Sequence, residues 1–164
     1  MDMNFYVPFL AALIPTAVGA LWYSPVLFNN AWMKATGLTE DDLKGANMPV
    51  VFILAYVFSL LFAFGITGMV IHDFGVLGLA GGDLGTLDEA TQMAVGAFLE
   101  AQSPQYRSFG HGALHGGIGA IVSALPILAT NAMFERKGWK YILINVGYWF
   151  VTMTLMGGVI CAFI

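Results

Sequence analysis

Charge is the scarcest property of this chain. Of its 164 residues only 10% are Asp, Glu, Lys or Arg, against roughly a quarter in soluble proteins. Cysteine is nearly missing as well. The single Cys161 excludes an internal disulfide framework and any cysteine-based zinc cluster, and it reads as a small apolar filler. No Gly-Lys-Ser/Thr phosphate loop occurs, so nucleotide binding is not supported; no nucleic acid is expected as a partner either. No long apolar run contains an acidic or basic residue other than histidine. Ion-coupled pumps and transporters usually depend on intramembrane carboxylates or lysines, so that class is weakened. What remains is apolar surface: 59% of the residues are hydrophobic, more than a domain this small can hide from water. Its solvent is lipid, and the bilayer is its first partner.

Four apolar runs predict four membrane-spanning helices, over about 4–27, 48–71, 109–134 and 141–162. The first resembles a signal peptide, with Val18-Gly19-Ala20 as a cleavage-like triplet, but Asp2 gives its start the wrong charge for one. Pro15 falls mid-run and predicts a bend, while Trp22 and Tyr23 mark a membrane–water interface. In the loop 28–47, Thr39 followed by Glu40, Asp41 and Asp42 predicts a short capped helix. The longest connection, 72–108, opens with a glycine-rich turn region containing Gly75, Gly78, Gly81, Gly82 and Gly85. It continues through Thr86-Leu87-Asp88-Glu89, a capping-box pattern. Leu87, Ala90, Ala94, Phe98 and Ala101 follow at helical spacing, which predicts an amphipathic helix over 87–102 on the membrane surface.

Basic residues set the orientation. Lys34 and Lys44 lie in the first loop and Arg136, Lys137 and Lys140 in the third, against Arg107 alone on the opposite side. Loops 28–47 and 135–140 are therefore expected in the cytoplasm and both termini outside. The outer face then carries Asp2, Asp73, Asp83, Asp88, Glu89 and Glu100 against Arg107. A parallel repeat is suggested by Pro25-Val-Leu-x-x-Asn30-Ala and Pro126-Ile-Leu-x-x-Asn131-Ala, which end the first and third runs. The alternative is that two helices leaving at one interface have similar ends.

Small residues and histidines carry the remaining information. Ala55, Ser59, Ala63 and Thr67 recur every four residues on the second run, and Gly112, Gly116, Ala120 and Ala124 do so on the third. Such strips allow backbones to approach closely, which is how helices associate in lipid. Asn30, Asn131 and Asn145 are candidate polar core groups. His111 and His115 are four apart, so their rings leave one helix face. The topology brings His72, Asp73 and Glu100 to the same side. Two readings stand for this set: packing and interface residues, or a proton, ligand or metal site. The metal identity is left open by the spacing.

Trp22-Tyr-Ser-Pro-Val-Leu-Phe28, Trp32-Met-Lys34 and Gly37-Leu-Thr39 form a recognisable series. It continues through His111-Gly-Ala-Leu-His115-Gly, Thr130-Asn-Ala132, Trp139-Lys140 and Asn145-Val-Gly-Tyr-Trp149. Together these segments resemble the bacterial domain-of-unknown-function 1761 family of small integral membrane proteins. The resemblance covers nearly the whole chain and is most specific at Trp-Tyr-Ser-Pro. It implies a bacterial inner-membrane protein and transfers no catalytic residue. The expected fold is all-α: a single bundle of four membrane helices with an extracytoplasmic amphipathic helix between the second and third. The leading functional expectation is a non-enzymatic accessory subunit or small-solute binding and passage module with a histidine site in its outer leaflet, present as a homo-oligomer or within a larger membrane complex. The alternative is a small membrane enzyme or metal-binding protein using His72, His111 and His115 with Asp73 or Glu100.

Overall fold

The computed structural model describes residues 3–164, so Asp2 and the charge expected of it lie outside the described residues. Every regular element among the described residues is helical. In order they are α1 (Val7–Ala11), α2 (Ile14–Trp22), α3 (Asn29–Thr36), α4 (Met48–Val70), α5 (Asp73–Leu79), a 3-10 turn at Leu84–Thr86, α6 (Glu89–Tyr106), α7 (Phe109–Gly119), a π-helical turn at Ala120–Ala124, α8 (Leu125–Phe134) and α9 (Trp139–Phe163). Three rods are long and apolar enough to cross a bilayer: Met48–Val70, the continuous Phe109–Phe134, and Trp139–Phe163. Their exposed side chains are apolar too, among them Phe52, Ile53, Phe58 and Leu61 on α4. A helix apolar all round belongs in lipid or in a large core, and this chain is too small to supply the core.

The first run departs from a single helix over 4–27. It is helical over Val7–Trp22 only, in two pieces that meet at Ala12–Leu13. Pro15 explains the break. It has no N–H to give and its ring crowds the carbonyl four residues back, so α2 restarts with Pro15 in its first turn. The pieces are seated on α9 along their length. Asn4 donates from its backbone N–H to the Ile164 carbonyl (3.3 Å) and from its side chain to that of Phe163 (2.9 Å). Tyr148 donates to the Pro15 carbonyl (2.9 Å), Trp22 to that of Ile144 (3.0 Å), and the Tyr23 hydroxyl to Asn145 Oδ1 (2.9 Å). From Ile144 to Ile164, α9 rises about 30 Å at ~1.5 Å per residue.

The tightest contact in the chain lies between α7 and α9. A Cβ added at Gly112 would overlap the Gly157 carbonyl, one at Gly116 the Met153 carbonyl, and one at Gly157 the Gly112 carbonyl. The two backbones touch there without intervening side chains. Ala63, Ile66 and Val70 of α4, with Val7 and Ala11 of α1, join Met153, Met156 and Ile160 of α9 in one buried cluster. Thr67 is also buried and donates to the Ala63 carbonyl (2.9 Å). Ser59 is buried as well, and with Ala55 it lines an open groove of about 770 Å³ between α2, α4 and α9. Beyond the seam Ala120 is fully buried, and the helix widens into the π turn just before Pro126. The missing proline N–H displaces the ladder there, and the Ser123 hydroxyl bonds the Gly119 carbonyl.

The connections differ from expectation in three places. The helix of the first loop is α3, ended at Gly37 with φ +79°, while 39–43 is not helical and 40–45 forms turns. There Asp42 takes the Thr39 N–H (2.8 Å) and hydroxyl (2.6 Å), which holds its carboxyl below the usual range. Gly75 and Gly78 lie inside α5 rather than a flexible turn, and the chain reverses only at Gly81 and Gly82, where φ is +86° and +84°. Finally, α6 starts two residues later than expected and runs to Tyr106. The Thr86 hydroxyl is used by the Asp83 carbonyl (2.8 Å), so Asp88 becomes the cap and accepts from the Thr91 N–H (3.0 Å). Of α6 only Leu99 is buried, and the expected apolar stripe, including Phe98, faces outward. The two candidate repeat segments also differ: Pro25 sits in a turn, Pro126 within a helix.

Two measurements check this packing. Gly116→Leu and Gly157→Leu should each destabilise the detergent-solubilised fold by about 1–3 kcal/mol or more, while Gly65→Ala and Gly68→Ala, where nothing lies within 4 Å, should leave it unchanged. Equal stability across the four would refute the seam. The Thr91 bonds hold the Asp88 carboxyl below its ordinary value. Its capping therefore operates above an unfolded pKa of about 3.9 and fades as pH falls through the lower folded value. Protection of the amides at the start of α6, taken as the exchange rate relative to the intrinsic rate at each pH, should fall in acid in the wild type, and that fall should be absent in Asp88→Ala.

Candidate functional site

The site is assembled where α4 ends, α5 begins and α7 begins. At Ile71 the backbone leaves the helix for an extended conformation, and His72 follows as the residue preceding α5. The Ser108 hydroxyl accepts the His111 N–H (3.2 Å) and caps α7. This fixes His111 and His115 in its first two turns. Helical spacing puts both rings on one face, and the packing of α4 against α7 carries His72 onto that face. Ring centroids are 4.8 Å apart for His72–His111, 5.0 Å for His72–His115 and 4.5 Å for His111–His115. The Nε2 atoms of His72 and His111 lie 3.3 Å apart. One nitrogen from each ring can be chosen so that all three lie within 4.8 Å of one another. His72 is exposed and the other two are half-buried.

Tyr106 closes one side, its ring centroid 5.6 Å from that of His72 and 5.3 Å from that of His111. The Tyr106 carbonyl accepts from the buried Cys161 thiol (3.1 Å). Cys161 is thus a filler that also ties the edge of the site to the end of α9.

The acidic candidates take other places. Asp73 is 5% exposed, and its Oδ2 accepts from Arg107 Nη2 (2.7 Å) and the Ser103 hydroxyl (2.7 Å). A buried carboxylate is tolerated only when paired in this way. The triad binds the start of α5 to the end of α6 and to the lead-in to α7. Between α5 and α6 a cavity of about 280 Å³ opens beside His72, lined also by Asp73, Gln102, Ser103 and Tyr106. Glu100 opens onto a different cavity, with Leu84, Gly96 and Pro104. Asn30 and Asn131 are exposed, whereas Asn145 is half-buried. It accepts from Tyr23 and donates to the Tyr141 carbonyl (2.7 Å).

Of the segments that carried the family resemblance, His111-Gly-Ala-Leu-His115-Gly lies in this region. The sequence model of a family described as "Protein of unknown function (DUF1761)" matches residues 7–161. The chain belongs to that family. The DUF1761 match takes in His72, His111, His115, the Asp73–Arg107 pair and the glycine seam. Among curated proteins and among solved structures, none matches.

Sequence reasoning missed three participants. Arg107 stood out only as the lone base of its segment, and its partner Asp73 lies 34 residues away. Tyr106 carried no motif. Gly157 was visible as half of Gly157-Gly158, and the four-residue spacing of Gly112 and Gly116 on the preceding run was the available signal.

The ion pair generates its own test. Arg107→Met strands a buried carboxylate and should cost about 3–5 kcal/mol, and adding Asp73→Asn should recover much of that loss. A double variant as unstable as the single one would show that the pair does not hold α5 to α6.

Proposed function

We propose that this DUF1761 member is a non-enzymatic, four-span protein of the bacterial inner membrane, and that its histidine cluster is a binding site for a small solute at the outer surface. The convergence of His72, His111 and His115, drawn from two separate elements, carries the reading. Three imidazoles are all lone-pair donors or weak acids. The nearest carboxylate, Asp73, is already engaged by Arg107 and Ser103. That set suits holding a solute better than moving protons through a reaction.

Several contacts support the topology. The first helical pair accompanies α9 over about 30 Å, the thickness of a hydrocarbon core, with bonds from Asn4 at one end to Trp22 and Tyr23 at the other. Lys137 donates to the Thr36 carbonyl (2.7 Å), which brings the two basic loops together. We place loops 28–47 and 135–140 in the cytoplasm and 72–108 outside, with the outward apolar stripe of α6 against the membrane surface.

Two experiments test this. In a Cys161→Ala background, single cysteines at Asp41 and at Asp83 should differ in labelling of intact spheroplasts by an impermeant maleimide: 83 reacts, 41 does not. The reverse pattern would overturn the orientation. The triple variant His72→Ala/His111→Ala/His115→Ala should keep its Tm within about 3 °C of wild type, since roughly 1 kcal/mol moves Tm by that much at this size. A fall of more than about 10 °C would make the histidines packing residues and end the binding-site reading.

A further inference from the structure

We infer that the solute is a divalent transition-metal ion of the zinc class, held by one nitrogen from each of His72, His111 and His115. The inference rests on the reading of the cluster as a binding site and names what it binds. Zinc takes imidazole nitrogen at about 2.0–2.1 Å in tetrahedral geometry. Two ligand nitrogens on such an ion stand about 3.3–3.4 Å apart by the same geometry. The His72 and His111 Nε2 atoms are 3.3 Å apart. The nitrogens of the group span no more than 4.8 Å, so closing the tripod takes about 1.4 Å of movement, within reach of side-chain rotation.

The surroundings agree with the geometry. Neutral imidazoles as close as His72 and His111 satisfy one another only when one ring donates and the other accepts. Among the described residues no other hydrogen bond holds any of the three rings. An ion accepting three lone pairs satisfies all of them at once. Arg107, the one nearby base, has its charge matched by Asp73 at 2.7 Å. The connection 73–108 otherwise carries Asp83, Asp88, Glu89 and Glu100, a field that favours cation approach. Three nitrogens without oxygen or thiolate select zinc, copper, nickel or cobalt over magnesium and calcium, which require oxygen ligands. With His72 exposed, a fourth position stays open to solvent, the pattern of an exchangeable rather than a closed structural site.

The test uses the full chain, purified in mild detergent without a polyhistidine tag and stripped with chelator. Zn²⁺ is titrated by calorimetry and Co²⁺ by visible absorption. One ion per chain is expected, with the intense ligand-field bands of low-coordinate cobalt and no competition from excess Mg²⁺. His72→Gln, His111→Ala and His115→Ala should each weaken binding by at least about 100-fold. Because His72 is exposed, its variant provides the reading should a helix variant fold poorly. Absence of stoichiometric binding by wild type, or binding unchanged in His72→Gln and the triple variant, overturns the inference. If no ion binds while the triple variant keeps its Tm, the metal is wrong and the binding-site reading stands. If no ion binds and Tm collapses, both fail.

Discussion

The structure depends on two backbones being allowed to touch. In lipid no hydrophobic drive pulls helices together, so α7 and α9 are held by close van der Waals approach, and only glycine permits it at Gly112, Gly116 and Gly157. With α7 set at that depth on α9, its first two turns lie level with the end of α4, and His111 and His115 meet His72. The Cys161–Tyr106 bond forms one turn beyond Gly157, at the same level. A site built largely on helices inherits its precision from the packing of those helices, and here the packing is set by missing side chains.

Much of this could be read from residue order, for physical reasons that differ by element. The apolar runs were legible because lipid tolerates no charge, so 48–71, 109–134 and 141–162 announce themselves by composition. Pro15 announced the bend because a proline breaks the helix ladder in any solvent. The first run was legible as apolar and as bent at Pro15, but its outer limits at Val7 and Trp22 were not, since periodicity does not reveal the bonds that Asn4, Trp22 and Tyr23 make to α9. Capping was less legible. Thr86 and Asp88 are both good caps, and which one acts depends on whether the preceding turn has already used the hydroxyl.

The site divides in the same way. His111 and His115 could be paired on spacing alone, and His72 could be added because alternating crossings place it at the same end. Asp73 and Glu100 were included on the same argument, but it assigns an end and not a contact. Asp73 instead meets Arg107, a pairing between positions with no periodic relation. The two small-residue strips could be recognised as surfaces for close backbone approach, and they were expected to serve packing. The Gly112–Gly116 strip is filled from within the chain by α9.

The bonds from Trp22 to Ile144 and from Tyr148 to Pro15 also impose an order of events during synthesis. The ribosome makes α1 and α2 well before α9, yet their partners lie on α9, 122 and 133 residues later. At about 5–20 residues per second, that interval lasts roughly 6–27 s. Throughout it a short, kinked helix pair, with the Trp22 donor and the Pro15 carbonyl unmatched, has no α9 to dock on. A helix that emerges later is the one that seats the earlier pair, so the fold closes like a clasp whose later part secures the earlier one.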